Sequence, residues 1–439
     1  MKNKSLISAK AVHFIGIGGI GISAIARMIL RQVEDECREV TVSGSDREES
    51  KVTEGLRKGG VLVYIGQKKE NIPKQCDLVI YTVAISETNE ELAEAKRRNI
   101  PVLSYPQVLN IISREKYTIA ISGTHGKTTT TAMVAKILID GGLDPTVIIG
   151  SILKDKNTNF IFGRSDYLVV EADEYRKSFH SLEPTILVIT NIDEDHLDFY
   201  KDLVDIQNAF AELVKKIPEH GFLICDMSNP HVLPATEAAR CTILDCGTVG
   251  DFTFKLKSPG THNRQNAKAA LLVGGILGIS KDVAEESLKN FGGTWRRFEY
   301  RGKTESGATV YDDYAHNPQK VRAAIAGARE MFPDKKITVV FQPHLYSRTK
   351  LLLGEFAQAL QGADFILIAP IYAARETADP EISSEMLVEK ITRLNASVIF
   401  MNSFEEIAAK LKTGTGPEDL IITMGAGDVH KICDSIVTD

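Results

Sequence analysis

The sequence predicts an α/β protein of three domains, each built on a mostly parallel sheet. Short runs of β-branched and apolar residues alternate with helical stretches along almost the whole chain, which is the pattern of parallel strands joined by crossover helices. At 439 residues the chain is too long for one hydrophobic core. Polar, glycine-rich segments follow the predicted strands and mark one edge of each sheet as the functional edge. We place the domains at residues 1–113, 114–295 and 296–439.

The composition excludes several classes of protein. Apolar residues make up 43% and charged residues 25%, the balance of a folded globular chain. The net charge of −6 argues against a nucleic-acid partner and against an anionic membrane surface. The six cysteines show no zinc spacing, residues 1–10 lack a signal-peptide run, and no apolar stretch approaches about eighteen residues, so we expect a cytoplasmic protein with reduced thiols. The sequence leaves monomer and homodimer open.

The first domain opens with a dinucleotide fingerprint. A strand over residues 11–17 runs into the turn Gly16-x-Gly18-x-x-Gly21, and a helix is predicted over residues 22–30. A second strand over residues 40–43 ends near Asp46, where an acidic side chain would meet a ribose hydroxyl. Further strands at 61–65, 78–82 and 102–104 and a helix at 89–98 complete a Rossmann-like unit. We interpret the turn as a nucleotide or nucleotide-sugar site; the alternative is a glycine turn needed only for close helix packing.

The central domain begins with a phosphate-binding loop. The strand starting at Tyr117 leads into a Gly-Thr-His-Gly-Lys-Thr sequence and then a helix starting near Lys127. The glycines let successive N–H groups point at one anion, and the helix start adds its positive dipole end. Lys127 would reach the β- and γ-phosphates, and the Thr128 hydroxyl would hold Mg²⁺. The alternative, an ordinary turn rich in glycine and threonine, requires the lysine and the threonines to be accidental.

Two later strand ends carry acidic residues suited to Mg²⁺. A strand over residues 167–173 delivers Glu171 and Asp173, with Glu174 directly after them. Hard cations prefer carboxylate oxygens, so these residues fit a metal site beside a phosphate loop. The strand at 186–191 is followed by His196, with Asp193, Asp195 and Asp198 around it. His196 is a candidate metal ligand, and the other interpretation is a turn residue.

The rest of the central domain carries an amide-rich segment. A helix is predicted over residues 205–217 and a strand over 222–225. Asn263 and Asn266 then precede a helix predicted over residues 267–277. These amides either cap that helix or contact an adenine edge.

The third domain repeats the strand-and-helix alternation from Gly292 onward. The strand over residues 309–312 leads into Asp313 and His316, and Pro318 opens a helix. The strand over residues 337–341 leads into His344 and Arg348. Further strands follow at residues 365–369, 397–401 and 420–424.

Taken together, these motifs resemble the Mur ligase family over nearly the whole chain. The resemblance rests on the following segments, which occur in this order: 13–21, 43–46, 123–128, 171–174, 190–192, 195–198, 262–266, 296–299, 312–316, 342–344 and 425–428. It implies a Rossmann-like first domain for a UDP-sugar, a P-loop ATPase-like central domain for ATP, and a Rossmann-like third domain for an amino acid. The implied reaction is ATP-dependent joining of L-alanine to the lactyl carboxylate of UDP-N-acetylmuramic acid through an acyl phosphate, with Mg²⁺ required.

The resemblance also implies roles for individual residues. Lys127, Glu171 and His196 are implied as catalytic residues, and Thr128, Glu171 and His196 as metal ligands. Asn263 and Asn266 are implied near the adenine, Arg297 near the phosphates and Asp312 or Asp313 near the ribose, with Asp313 favoured. The remaining predicted ATP contacts are Gly123, Thr124, His125, Gly126 and Thr129. The predicted UDP-sugar contacts are Gly16, Gly18, Gly19, Gly21, Ser45 and Asp46, and the predicted amino-acid contacts are His316, His344 and Arg348.

A few positions depart from the family pattern, and several alternatives stay open. Gln67, the pair Arg176 and Lys177, and Asn317 differ from common family residues and affect only details of substrate contact. Some relatives carry a carbamylated lysine, and we predict none here. The competing functions are ligation of a recycled tripeptide to the same UDP-sugar, an NAD-dependent oxidoreductase, and a non-catalytic nucleotide-binding protein. An oxidoreductase leaves the phosphate loop unexplained.

Overall fold

The computed structural model describes residues 9–35, 39–153, 158–197, 199–374, 376–394 and 396–438. Three parts of the sequence analysis concern residues outside these ranges: residues 1–8, where we expect no signal peptide, Cys37 and Asp198. The described residues form three sheets with helices packed on them, which confirms the predicted α/β class. The chain divides into two compact units, Met1–Lys255 with Gln265–Phe291, and Leu256–Arg264 with Gly292–Asp439.

The first sheet has five parallel strands in the order β3-β2-β1-β4-β5. The central strand β1 is buried along its whole length, as its apolar sequence requires. Its strands are β1 (Ala11–Ile15), β2 (Thr41–Asp46), β3 (Leu62–Ile65), β4 (Leu78–Tyr81) and β5 (Val102–Ser104). Its helices are α1 (Ile20–Asp35), α2 (Lys51–Lys58), α3 (Glu90–Arg97) and α4 (Tyr105–Glu115). All five predicted strands are present, and α1 is longer than predicted at both ends.

The second sheet has seven strands in the order β12-β11-β10-β6-β9-β7-β8. Strand β8 pairs antiparallel with β7, and the other neighbours are parallel. The strands are β6 (Tyr117–Ser122), β7 (Thr146–Leu153), β8 (Thr158–Ile161), β9 (Tyr167–Glu171), β10 (Ile186–Ile189), β11 (Phe222–Cys225) and β12 (Thr242–Asp245). The helices are α5 (Lys127–Asp140), α6 (Leu203–Val214), α7 (Leu233–Thr236), α8 (Thr261–Ile276) and α9 (Lys281–Lys289).

Helix α8 corrects one prediction. It begins at Thr261, six residues before the predicted start, so Asn263 and Asn266 lie within the helix and do not cap it. The Asn263 amide donates to the carbonyl of Pro259 at 2.7 Å, and its backbone N–H donates to the carbonyl of Gly260. The boundary between the two compact units falls between Arg264 and Gln265, inside this helix.

The third sheet has seven strands in the order β17-β16-β15-β18-β14-β13-β19. Strand β13 pairs antiparallel with both of its neighbours, and the remaining pairs are parallel. The strands are β13 (Glu299–Thr304), β14 (Thr309–Asp313), β15 (Lys336–Phe341), β16 (Phe365–Ile368), β17 (Val398–Phe400), β18 (Asp419–Met424) and β19 (Val437–Thr438). The helices are α10 (Pro318–Met331), α11 (Tyr346–Leu351), α12 (Leu353–Leu360), α13 (Ser384–Thr392), α14 (Phe404–Gly414) and α15 (Lys431–Ile436).

The start of α10 shows why the sequence locates it well. Pro318 occupies the first helical position, where its missing N–H is not needed, and the Asn317 side chain accepts from the backbone N–H of Lys320 at 2.9 Å. The predicted helix start is therefore confirmed. Within the described part of the chain, no helix has the length and apolar character needed to cross a bilayer.

Candidate active site

The phosphate loop is built between strand β6 and helix α5. Gly123 and Gly126 have φ values of +132° and +83°, in the region that favours glycine. A Cβ on Gly126 would lie 2.5 Å from the side-chain oxygen of Asn266. The predicted residues Gly123, Thr124, His125, Gly126, Lys127, Thr128 and Thr129 thus form one continuous turn and helix start.

The segment after β10 fastens this loop. The side chain of Asn191 accepts from the backbone N–H of His125 at 2.9 Å and donates to the His125 carbonyl at 3.0 Å. The Thr124 hydroxyl accepts from the N–H of Asp193 at 2.9 Å. Sequence reasoning gave Asn191 no role, although its position at a strand end beside the loop was the available signal.

The Lys127 side chain forms two hydrogen bonds to oxygen atoms at the loop. Its Nζ donates to the Gly123 carbonyl at 2.7 Å and to Glu174 Oε2 at 2.6 Å. Burial acts to lower the pKa of Lys127, but the carboxylates of Glu174 and Asp173 outweigh it and place the pKa above its ordinary value. Lys127 is therefore a fixed positive charge at the loop.

Thr128 and Glu171 form a second contact at the loop. The Thr128 hydroxyl donates to Glu171 Oε1 at 2.9 Å, and the backbone N–H of Gly150 donates to Glu171 Oε2 at 2.8 Å. The structure thus brings together the hydroxyl and the carboxylate that the sequence predicted as metal ligands. Gly150 lies in β7, and the sequence analysis predicted neither this strand nor its hairpin with β8, so the contact of Gly150 with Glu171 was not expected.

His196 is grouped with acids other than Glu171. One ligand atom from each of Asp173, Glu174 and His196 lies within 4.8 Å of the others. Glu174 Oε1 is buried, has no hydrogen-bond partner among the described residues, and lies 3.6 Å from His196 Nε2. The Tyr175 ring lies 4.7 Å from the His196 ring. A buried carboxylate oxygen without a partner is costly, so this group fits a divalent cation.

Glu174 is the residue that sequence reasoning undervalued. Its side chain is 3% exposed, and it faces Lys127 on one oxygen and His196 on the other. Burial raises the pKa of Glu174 above its ordinary value, and the Lys127 ammonium opposes that rise. The signal was present in the sequence, since Glu174 directly follows the strand-end acids, but the sequence does not show which way its side chain points. Shortly after it, Arg176 and Lys177 both adopt left-handed φ values of +52° and +56°.

In the glycine turn of the first sheet, the acidic residue Asp46 binds the turn itself, a contact that the sequence analysis did not predict. Gly16 has φ +80°, and the backbone N–H of Gly18 donates to Asp46 Oδ2 at 2.7 Å. A Cβ on Gly21 would lie 2.7 Å from the Tyr105 ring, so the turn also allows close packing of α1. The N–H of Gly19 donates to the Gly16 carbonyl at 3.2 Å.

Ser45 differs from its predicted role. Its side chain is fully buried, and its hydroxyl donates to Glu91 Oε2 at 2.5 Å. Because the hydroxyl points into the interior, a direct contact of this side chain with a UDP-sugar is not supported. The sequence could not show this, since the partner of Ser45 lies on helix α3.

The third sheet holds a buried ion pair that corrects a second prediction. Asp312 is fully buried, and its two oxygens accept from Arg296 Nε at 2.7 Å and from the Thr423 hydroxyl at 2.5 Å. Arg296 also donates to the carbonyls of Gly427 and Gly425. Asp312 therefore holds the strand ends together and is not available to a ribose, which leaves Asp313 as the candidate.

Asp313 lies at the end of β14 beside Arg297. Its oxygens accept from the backbone N–H groups of Phe298 at 2.7 Å and Ala315 at 2.8 Å. Burial raises the pKa of Asp313 to about 6, although the Arg297 guanidinium and the Phe298 N–H act in the opposite direction. The Arg297 guanidinium also lies 5.3 Å from the centre of the Tyr314 ring.

The predicted amino-acid residues lie together in the unit that contains the third sheet. Arg348 Nη1 is 3.4 Å from His344 Nδ1, and the His316 and His344 rings are 6.2 Å apart. Burial lowers the pKa of His316 well below 6.5, and the nearby Lys320 and Arg348 act in the same direction. His316 is therefore neutral near pH 7, and Arg348 is the cation of this group. The Tyr372 ring stacks on His344 at 5.6 Å, a contact that the sequence gave no means of predicting.

Comparison with known proteins identifies the family. The sequence model described as Mur ligase family, catalytic domain, matches residues 11–117. The Mur ligase middle domain matches residues 121–251, and the Mur ligase, glutamate ligase domain, matches residues 296–427. The chain belongs to the Mur ligase family. The resemblance drawn from the motifs is thereby confirmed.

Individual relatives of this Mur ligase cover nearly its whole length. It is 41% identical over 453 residues to the UDP-N-acetylmuramate–L-alanine ligase of Clostridium kluyveri, with 97% of each chain covered. It is similar to the crystal structure of the UDP-N-acetylmuramate–alanine ligase of Thermotoga maritima, with a TM-score of 0.80 at 29% identity and 97% of each chain covered. A murein peptide ligase of Psychrobacter arcticus has a TM-score of 0.69 at 22% identity and covers 98% of this chain and 100% of its own. That last likeness concerns the fold alone.

Proposed function

We propose that this Mur ligase joins L-alanine to the lactyl carboxylate of UDP-N-acetylmuramic acid at the expense of ATP. The observation that carries the proposal is the 41% identity, over 97% of both chains, to a UDP-N-acetylmuramate–L-alanine ligase. The γ-phosphoryl group passes from ATP to a carboxylate oxygen and leaves ADP. The alanine amine then attacks the carbonyl carbon of the acyl phosphate, phosphate leaves, and the nitrogen loses a proton.

The phosphate loop is proposed as the ATP site. Its support is geometric: the left-handed glycines Gly123 and Gly126 turn the backbone at the start of α5, and Lys127 lies behind them. Lys127 offsets the negative charge that two anions bring together, which is the main electrostatic requirement of phosphoryl transfer. Asn266, which packs on Gly126, supports the loop, and Asn263, Arg297 and Asp313 are proposed as further nucleotide contacts.

Mg²⁺ is proposed at two groups of oxygen and nitrogen ligands. Thr128 and Glu171 would hold one ion, and Glu174, Asp173 and His196 would hold the other. When bound, the ions supply positive charge to the phosphate oxygens. The unpartnered oxygen of Glu174 is the support for the second group.

We propose that each of the three sheets belongs to a domain that binds a different substrate. The proposed domain boundaries are residues 1–113, 114–295 and 296–439. The glycine turn with Gly16, Gly18, Gly19, Gly21 and Asp46 is proposed for the UDP-sugar. Arg348 is proposed as the partner of the alanine carboxylate, because a guanidinium binds a carboxylate through two parallel hydrogen bonds. His316 and His344 lie beside it.

Several further expectations from the sequence stay proposals. They are a cytoplasmic location, the absence of a nucleic-acid or membrane partner, a monomer or homodimer, and the absence of a carbamylated lysine. The partner expectations rest on the net charge of −6, the location on the lack of a signal-peptide run in residues 1–10 and of a long apolar stretch, and the absence of a carbamate on the motif context; the sequence leaves monomer and homodimer open.

Phosphate release tests the proposed function. The full-length enzyme is given ATP, Mg²⁺ and UDP-N-acetylmuramic acid, with L-alanine, glycine, L-serine or the murein tripeptide as the amine. We expect L-alanine to give the highest kcat/KM, and glycine and serine to be slow substrates, because one small group changes discrimination by only about 1–3 kcal/mol. Efficient use of the tripeptide with alanine ignored would assign the recycling reaction instead.

A further inference from the structure

We infer that Glu91 is a positioning residue for the UDP-sugar site, because from the interior it hydrogen-bonds Ser45 at the end of β2 and Asn71 after β3, and it lies beside His13 of β1. The inference deepens the proposed function and depends on the glycine turn being the UDP-sugar site. Glu91 was absent from every motif noted in the sequence, since it lies on helix α3, far along the chain from the turn.

Glu91 is a fully buried carboxylate with two close partners. Its Oε2 accepts from the Ser45 hydroxyl at 2.5 Å, and its Oε1 accepts from Asn71 Nδ2 at 2.6 Å. His13 is also fully buried; its Nε2 lies 3.7 Å from Glu91 Oε2, and its Nδ1 is 2.9 Å from the Ser43 hydroxyl. An ionisable side chain at such a site is costly unless it is hydrogen-bonded, so its presence needs a structural or functional reason.

The contact with Ser45 reaches the glycine turn directly. The carbonyl of Ser45 accepts the backbone N–H groups of Gly16 at 2.8 Å and Ile17 at 2.9 Å. The next residue, Asp46, accepts the N–H of Gly18. Three successive N–H groups of the turn are thus fixed by the two residues at the end of β2. Glu91 fixes the side chain of the first of these two residues.

The contact with Asn71 reaches the loop after β3. Asn71 Nδ2 donates to the Gly66 carbonyl at 2.8 Å as well as to Glu91. Asn89, the N-cap of α3, accepts from the N–H of Glu91 at 3.0 Å and donates to Gln67 Oε1 at 3.0 Å. The start of α3 therefore holds the Gly66–Gln67 loop while its Glu91 holds β2.

An isosteric substitution isolates the role of the carboxylate. In Glu91→Gln, the amide oxygen must face Asn71, whose nitrogen can only donate, so the new NH2 group faces Ser45. The Ser45 hydroxyl must then reverse from donor to acceptor, and the charge-assisted hydrogen bond is lost. The side chain keeps its volume, so the packing of α3 is retained.

The test measures UDP-N-acetylmuramic acid binding by calorimetry, and kcat and KM for each substrate, in wild-type enzyme, Glu91→Gln, Ser45→Ala and Glu90→Gln. Glu90 is the matched control, because it neighbours Glu91 on α3 and its side chain is exposed. We expect Glu91→Gln and Ser45→Ala to raise Kd and KM for the UDP-sugar by about tenfold or more. The KM values for ATP and alanine and the kcat at saturating UDP-sugar should stay at wild-type values, as should every constant of Glu90→Gln.

Two results would overturn the inference. A folded Glu91→Gln enzyme with wild-type UDP-sugar affinity would do so, as would an equal rise of all three KM values. If Glu91→Gln does not fold, Ser45→Ala decides in the same way, since it removes only the hydroxyl that joins Glu91 to the turn. If wild-type enzyme itself does not bind the UDP-sugar, the proposed function falls together with the inference, whereas wild-type binding unchanged in the variants removes the inference alone.

Discussion

Lys127 and Glu174 form an ion pair with little contact to water, their side chains being 13% and 3% exposed. Each residue of the pair also has a second neighbour. Lys127 donates a hydrogen bond to the Gly123 carbonyl, and Glu174 lies beside His196. Removal of one member of such a pair leaves the other as an uncompensated buried charge, which costs more than the pair itself contributes. The two residues therefore set the charge at the phosphate loop and also contribute to its local stability.

Substitution of Lys127 is expected to remove phosphoryl-transfer activity selectively. Lys127→Ala should lower kcat/KM by about 10³-fold or more, because a fixed cation near the transferring group is lost. UDP-sugar affinity should be unchanged. Steady-state kinetics and calorimetry measure both. Lys136→Ala on the same helix is the control, since its partner Asp140 is a surface residue one turn away. Near-normal turnover in Lys127→Ala would contradict the assignment.

Substitution of Arg348 is expected to act on the amino acid. Arg348→Ala should raise KM for alanine by about tenfold or more, which is the value of a lost charge-assisted hydrogen bond, and should leave KM for ATP near its wild-type value. Arg393→Ala serves as the control because that arginine, directly after α13, has a side chain that is 74% exposed. The prediction fails if KM for ATP rises and KM for alanine does not.

At the scale of elements, the turn that opens α5 includes a close approach of Gly126 to Asn266. Gly126 and Gly142 have similar left-handed φ values of +83° and +79°, but only Gly126 has a neighbour within reach of a Cβ. Gly142→Ala should therefore cost about 1–2 kcal/mol from backbone strain alone. Gly126→Ala should cost more and should weaken ATP binding, because the methyl group overlaps Asn266. Thermal unfolding and nucleotide titration of the two variants measure the difference; equal costs would show that Asn266 moves aside freely.

The end of β14 should add a pH dependence to the stability of the protein. The folded pKa of Asp313 is about 6, raised by burial from 3.8. The folded state then holds a proton that the unfolded state releases, so this group's contribution to stability decreases as pH rises from about 4 to about 6. Asp313→Asn should remove that slope from a plot of melting temperature against pH. The exposed Asp334→Asn is the control, and a wild-type slope in Asp313→Asn would contradict the assignment.

At the scale of the whole molecule, the two glycine-rich turns are expected to bind different nucleotides. A ligand of the folded state raises its stability by mass action, by about 2.7 kcal/mol at a hundred times Kd. UDP-N-acetylmuramic acid should therefore raise the melting temperature of the full chain, and NAD should leave it unchanged. Differential scanning fluorimetry with UDP-glucose as a sugar control measures this. Stabilisation by NAD but not by the UDP-sugar would reverse the assignment of the Gly16 turn.

Local sequence patterns predicted most of the fold because apolar strands and glycine turns are local signals. The strand at Tyr117–Ser122, the turn after it and the helix from Lys127 are all present as predicted. The β7–β8 hairpin was missed, since its strands carry no tight two-residue turn signal. The start of α8 was placed too late, because the amides in its first turns were interpreted as caps.

The site was predicted where its residues follow one another in the chain, and missed where distant residues meet. Ser45 follows the strand predicted over residues 40–43, as a ligand residue would, but it lies within β2 and its buried hydroxyl bonds Glu91 of α3. Asp312 and Asp313 are adjacent and chemically identical, and only the alternation of β14 decides which one faces Arg296. Glu174 follows β9 by three residues, and its partner Lys127 lies 47 residues earlier in the chain. The partner of each of these side chains lies far away in the chain, and a local sequence pattern does not identify it.

The contact between Gly126 and Asn266 also limits how this chain can change over time. Every other amino acid carries a Cβ, so no single replacement at Gly126 avoids the 2.5 Å overlap with the amide oxygen. Replacement of Gly126 therefore requires that the Asn266 side chain on α8 be displaced or changed as well. An inhibitor that contacts the backbone of this turn would therefore meet few single-step routes to resistance, whereas one that depends on exposed side chains at the rim of a sheet would meet many.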